Sequence, residues 1–309
     1  MHVTRRHLRV SLGALWLLDG CLQLQPSMFR AFSRNVLLPA GQGESSSLVS
    51  LLHAVVALVS AHPALCNTGV ALTQLLLGLG LITRRFTRLA LTGSIAWALM
   101  IWVVGEGLGG LTTGSTLLSG APGAALLYAV IAVIAWPARQ LQDQDRPSRL
   151  TLPAWSALWL TGAVLQFVGG NNSPTSLTST LRSAQSSSPR WISSLDRQLI
   201  RLGPPTWASA AEIALFLLVA IWVLVPGWTR YLSIGIGSFI AVVGWLVFQG
   251  LGDLTSGHAT DPNTGPLVIL LAFAVVGATR ARESPPISPA TLPAGSPRAS
   301  QRVLVTASS

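Results

Sequence analysis

Trp102-Val-Val-Gly-Glu-Gly-Leu-Gly-Gly-Leu-Thr-Thr-Gly114 and Trp245-Leu-Val-Phe-Gln-Gly-Leu-Gly-Asp-Leu-Thr-Ser-Gly257 lie 143 residues apart and agree at eight of 13 positions without a gap. The same offset carries Leu15-Trp16-Leu17 onto Leu158-Trp159-Leu160, and Leu22-Gln23 onto Leu165-Gln166. One offset kept across two separated windows reads as an internal duplication, a feature to settle before any motif. Each stretch follows a long apolar run, so the question becomes what kind of unit was copied.

Composition answers the first part. Of 309 residues, 50% are apolar and 10% charged, against about 25% charged in an ordinary soluble domain. Apolar runs long enough to approach the roughly 20 residues of a membrane-crossing helix fall at Leu8–Gln25, Gly69–Thr83, Leu89–Gly107 and Ala121–Trp136, then at Trp155–Gly170, Ala208–Val225, Tyr231–Gln249 and Gly265–Ala278. The net charge of +10 comes from arginines that flank these runs, which is how membrane proteins place positive charge and not the stripe that nucleic acid would call for. Two cysteines exclude a disulfide scaffold and a four-thiolate zinc site.

Arginine placement sets the topology. With eight spans and a cytoplasmic N-terminus, 14 of the 20 arginines fall inside, including Arg5, Arg6, Arg9, Arg84, Arg85, Arg88, Arg139, Arg146, Arg149 and Arg230. Leu48–Ala61 is a tempting ninth span, but counting it would send Arg84, Arg85 and Arg88 outside. It reads better as an interfacial helix, with Ser46, Ser50, His53, Ala57 and Ser60 along one face. Ile192–Leu202, with an apolar stripe of Ile192, Leu195, Leu199 and Leu202, is its counterpart.

The fold expected is therefore all-α: a polytopic membrane protein of eight transmembrane helices, arranged as two parallel four-helix repeats, each with an interfacial helix. Residues 1–143 form the first repeat and 144–282 the second, with 283–309 a disordered cytoplasmic tail rich in Pro, Ser and Ala. Both termini are cytoplasmic, the setting is the bacterial cell membrane, and the lipid bilayer is the first partner. The Ser/Thr-rich stretch Asn171–Pro189 buries too little apolar area to fold alone. Thr4-Arg5-Arg6 and Leu18-Asp19-Gly20-Cys21 imitate export and lipoprotein signals, but Ala14–Gln23 has its copy in mid-chain, so residues 1–25 are read as a retained span.

Ionisable groups inside spans are costly and mark function. Asp19 and Gln23 share a face of the first span, and Glu106 ends the third between glycines. His53 and His62 belong to the interfacial helix and its end, on the same outer layer, completing a candidate polar cluster. Cys21 and Cys66, also placed there, are a candidate disulfide or redox pair. No metal site is expected, since His53 and His62 are not at a chelating spacing, and no catalytic residue is assigned. At the offset of 143, Asp19 becomes Gly162, Glu106 becomes Gln249, His53 becomes Asp196, His62 becomes Pro205, Cys21 becomes Val164 and Cys66 becomes Ser209. A specialised site is therefore expected in the first half.

Gly13-Ala-Leu-Trp-Leu-Leu-Asp-Gly20, and Leu76-Leu-Gly-Leu-Gly-Leu-Ile-Thr-Arg84 before a short turn, resemble segments of DoxX-like (MauE/DoxX-type) membrane proteins. That family is built on a four-helix membrane unit, of which this chain would hold two. The resemblance implies an accessory role in membrane redox or envelope chemistry, touching quinone or thiols, with quinone as the cofactor class. Two other functions fit the same residues: a small-solute or ion permease using the intramembrane carboxylates, and a structural subunit bound to a membrane-protein partner.

Overall fold

The computed structural model describes residues 3–138, 148–173, 175–185 and 188–283. Among these the chain is entirely helical, without a strand. Most of the linker read at Ala138–Pro153 and nearly all of the tail fall outside them.

The first helix, α1 (Arg5–Gln23), begins at a capping box in which Thr4 accepts from the His7 amide. It buries Leu8, Leu12, Trp16, Asp19 and Gln23, a stripe at the 3.6-residue period. α5 (Pro63–Ile82) packs along it. The two approach closely because Gly13 and Gly78 face each other: a Cβ on Gly13 would lie 2.9 Å from the Gly78 carbonyl oxygen. α6 (Thr87–Val104) packs on α7 (Ala124–Ile134), whose residues are buried nearly all round. In the second half α8 (Thr151–Leu165) lies on α11 (Ala208–Trp222), and α12 (Trp228–Val243) on α13 (Thr264–Glu283). α7 and α13 touch each other, and one continuous core runs through both halves.

Among the described residues four helices are long and apolar enough to cross a membrane: Pro63–Ile82, Thr87–Val104, Trp228–Phe248 and Thr264–Ala281. α5 shows the pattern that goes with a lipid surround. It exposes Leu65, Leu72, Leu76 and Leu79 while burying Asn67 and Gln74, the reverse of a helix facing water. α7, α8 and α11 are apolar but shorter.

After the short α2 (Met28–Phe32) and α3 (Leu38–Ala40), α4 (Ser46–Ala61) covers the stretch read as interfacial, and α10 (Arg190–Leu202) its counterpart. Of the stripe on α10, Ile192 alone is buried, while Leu195, Leu199 and Leu202 face outward. The stretch 171–189 departs from expectation in part. It contains α9 (Ser176–Gln185), which packs on α10 and buries Leu181 and Ala184. Asn171 anchors its start by donating to the carbonyls of Gly114 (2.7 Å) and Leu165 (2.9 Å). The segment gains its order from neighbours, which a composition argument about isolated folding does not count.

Candidate functional site

The turn after α6 is built the same way as the turn after α12. Leu108 and Gly109 have φ of 58° and 64°; Leu251 and Gly252 have 62° and 66°. A Cβ on Gly109 would collide with the Pro122 carbonyl, and one on Gly252 with that of Pro262. Only glycine permits both the left-handed backbone and that approach. Trp102 donates its indole N–H to the same Pro122 carbonyl at 2.7 Å, and Trp245 to Pro262 at 2.7 Å. Each turn thus folds back onto the loop leading into the next helix.

In the first half this turn delivers Glu106 to the start of α7. Its Oε1 accepts from the Ala125 amide at 3.0 Å, one of the donors that a helix N-terminus leaves unpaired. Among the described residues its Oε2 is buried without a hydrogen-bond partner. Gly123 (φ 102°) leaves the room this oxygen occupies, since a Cβ there would collide with it.

Glu106 stands between two spaces. Outward lies an open vestibule of about 400 Å3, with Glu44, Glu106, Asp253 and Asp261 in its walls. Inward lies an apolar chamber of about 200 Å3 between α1, α4, α5, α6 and α7. Glu106, Asp261, Thr260 and Gly105 line both. Asp261 comes from the loop before α13 and is held by the Thr260 hydroxyl (2.9 Å) and the Asn263 amide (2.7 Å). Burial raises its carboxyl above the usual carboxylate range, partly offset by those two hydrogen bonds.

The chamber wall contains Asp19, Gln74, Trp97, Glu106 and Tyr128. Among the described residues, each has a buried polar atom with no hydrogen-bond partner: Asp19 Oδ1, Gln74 Oε1, Trp97 Nε1, Glu106 Oε2 and the Tyr128 hydroxyl. Tyr128 and Asp19 face each other as an interacting pair, although neither Asp19 Oδ1 nor the Tyr128 hydroxyl meets strict hydrogen-bond geometry among the described residues. Buried polar groups are nearly always paired, so five residues with an unmet polar atom around one space make it the candidate site. Trp16 closes one side, fixed by its bond to the Ser94 hydroxyl (2.8 Å) and by ring contact with Tyr128 at 4.4 Å between centroids.

Of the residues expected at the site, Asp19, Gln23 and Glu106 line the chamber together. Gln23 is already engaged: its side-chain amide donates to Asn67 Oδ1 at 2.6 Å, and the Asn67 amide donates to the Gln23 main-chain carbonyl at 2.9 Å. His53 and His62 do not line it; both are exposed. α4 turns Leu48, Leu52 and Val59 inward, so His53, one residue and about 100° round the helix from Leu52, faces out. Cys21 is exposed, Cys66 is half-buried, and both thiols are free, so the expected pair is not bridged. Among the described residues no group of three His, Cys, Asp or Glu side chains is arranged to hold a metal ion. Sequence reasoning missed Tyr128, Gln74 and Trp97. The available signal was polarity within apolar runs: Gln74 stands in a stretch of leucines, and Tyr128 is one of two tyrosines.

No protein-family model, no curated protein and no solved structure matches the chain.

Proposed function

We propose that the chain is a multi-pass protein of the cell membrane, built from two parallel DoxX-like four-helix units, that binds a small ring compound of the quinone class in this chamber as an accessory to membrane redox or envelope chemistry. The observation that carries the reading is the apolar chamber with five unmet polar atoms. A cavity of about 150 Å3 accepts benzene, so about 200 Å3 has room for one substituted ring. A quinone presents two carbonyl acceptors and a quinol two hydroxyl donors. The indole N–H of Trp97 and the hydroxyl of Tyr128 serve the first, the carboxyl oxygens of Asp19 and Glu106 the second, and the rings of Trp16, Trp97 and Tyr128 offer stacking faces.

Eight crossings with both termini cytoplasmic remain the topology proposed. The arginine distribution supports it, as does the recurrence of α4, α6 and the Gly-Leu-Gly turn 143 residues on as α10, α12 and their own turn. α7, at 11 residues, is shorter than a bilayer, but it is walled by other helices. Non-helical backbone at membrane depth is tolerated where protein surrounds it.

The test is a titration of the purified protein in phosphatidylcholine nanodiscs with a short-chain benzoquinone, followed by tryptophan fluorescence. Saturable quenching, weakened about tenfold or more by Asp19→Asn and by Tyr128→Phe, is expected. Unsaturable quenching of equal size in all three proteins would reject the reading. A second reading, a permease for a small cation, is favoured by the four carboxylates of the vestibule. Uptake into proteoliposomes that depends on Glu106, without quinone binding, would select it.

A further inference from the structure

At the ends of α6 and α7 opposite the vestibule lies a third cavity, a basin of about 780 Å3 walled by Arg5, Arg6, Arg9, Arg84, Arg85 and Arg88. No carboxylate among the described residues lines it. Two of the arginines are structural. Arg9 is buried and donates to the Thr83 carbonyl (2.8 Å) and the Thr87 hydroxyl (2.6 Å), tying α1 to the turn between α5 and α6. Arg5 donates to the Trp136 carbonyl at 2.6 Å, tying α1 to the end of α7. The basin is therefore held in shape, with Arg6, Arg84, Arg85 and Arg88 exposed on it.

Membrane orientation accounts for arginines beside a span, but not for Arg6, Arg84, Arg85 and Arg88 converging with buried Arg9 on one concavity, where like charges repel. The positions 143 residues on hold Ser148, Arg149, Leu152, Gly227, Trp228 and Tyr231, a single arginine among six. Orientation is a need of every span, so it does not explain a concentration at one end of one half. A bound anion does. Guanidinium groups bind phosphate through paired, charge-assisted hydrogen bonds, and basic pockets between membrane helices take phosphate headgroups. Phe86 and Leu89 also line the basin and are exposed, giving an acyl chain an apolar bed beside the charge.

We infer that this basin binds a phosphate group, presented by an anionic lipid headgroup or by a free phosphorylated solute. Native mass spectrometry of the full chain in detergent, titrated separately with cardiolipin, phosphatidylglycerol, phosphatidylcholine and inorganic pyrophosphate, tests it. The expected result is retention of an anionic lipid at concentrations where phosphatidylcholine is lost, with affinity falling at least tenfold in the triple variant Arg84→Gln, Arg85→Gln, Arg88→Gln. The triple lysine variant at the same positions keeps the charge that orients the chain. Its intermediate affinity would show that the loss is not misfolding. Retention of pyrophosphate but of no lipid would keep the site and assign it to a soluble phosphate. Equal retention of charged and zwitterionic lipids with no pyrophosphate bound, or a glutamine variant that binds like the parent, would overturn the inference.

Discussion

Around Trp16 the first half encloses a chamber of about 200 Å3; around Trp159, 143 residues on, the second half leaves a crevice of about 20 Å3. The frames are alike. Both rest on a Gly-Leu-Gly turn with left-handed residues, and on a tryptophan that bonds a proline carbonyl. The fillings differ. Where the first half has Asp19, Gln74, Trp97 and Tyr128, the second has Gly162, Leu217, Ile240 and Leu271. Trp159 packs between Trp155 and Phe216 in tilted ring contacts, at 5.7 and 5.5 Å between ring centroids. Glu106 leaves an oxygen unmet, whereas Gln249 donates to the Leu118 carbonyl (3.0 Å) and accepts from Thr264 (3.1 Å). Five unmet polar atoms belong to residues around the first space; around the second, among the described residues, the Trp159 indole N–H alone is left unmet.

The harshest way to break this contrast is to put the chamber's acid into the packed half. A Cβ on Gly162 would stand 2.7 Å from Leu117 Cδ2 and 3.1 Å from Phe216. Gly162→Asp therefore adds overpacking to an uncompensated buried carboxyl and should cost roughly 3 kcal/mol or more, read as a lowered thermal midpoint in detergent. A tolerated Gly162→Asp would mean the second half has room that the structure denies. Next come the turns. Gly109→Ala and Gly252→Ala should each destabilise by about 1–3 kcal/mol from backbone strain alone, with the collision added. Similar losses would show one shared frame; a loss in only one turn would separate them.

The acid and amide can then be exchanged. Gln249→Glu removes a donor to a buried carbonyl and should cost about 1–3 kcal/mol, while Glu106→Gln should leave the thermal midpoint nearly unchanged and weaken quinone binding. The opposite order would reverse the roles assigned to the halves. The smallest effect belongs to Asp196, buried in α10 with neither carboxyl oxygen hydrogen-bonded among the described residues. Burial pushes its carboxyl up to about 6, against the pull of Arg197. An acid raised on folding supports the packed state fully below its unfolded value, about 3.9, and loses that support as pH rises through about 6. α10 should therefore be better protected from amide exchange at pH 4.5 than at pH 7.5, corrected for intrinsic rates, and Asp196→Asn should remove the difference.

Much of the fold is legible because lipid-facing helices announce themselves by apolar length. The runs at Gly69–Thr83, Leu89–Gly107, Tyr231–Gln249 and Gly265–Ala278 fall largely within helices long enough to cross a membrane. The run at Trp155–Gly170 is misplaced toward its C-terminus, because α8 stops at Leu165 and Gly169 and Gly170 take positive φ; apolarity alone does not report where a helix ends. The site is half legible. Asp19 and Glu106 are conspicuous as charges in apolar runs, but Tyr128 and Trp97 look like ordinary packing residues until the space beside them is known. The histidines mislead for a related reason. A helix face is chosen by the leucines that bury, and on α4 those are Leu48 and Leu52, which leaves His53 outside.

The most direct test of the account is a structure of the protein soaked with a dibrominated benzoquinone, with the bromines located by anomalous scattering. The account predicts bromine within the chamber bounded by Asp19, Trp97, Glu106 and Tyr128, and none beside Trp159 and Leu271. Bromine in the second half, or only on the lipid-facing surface at saturating concentration, would contradict it.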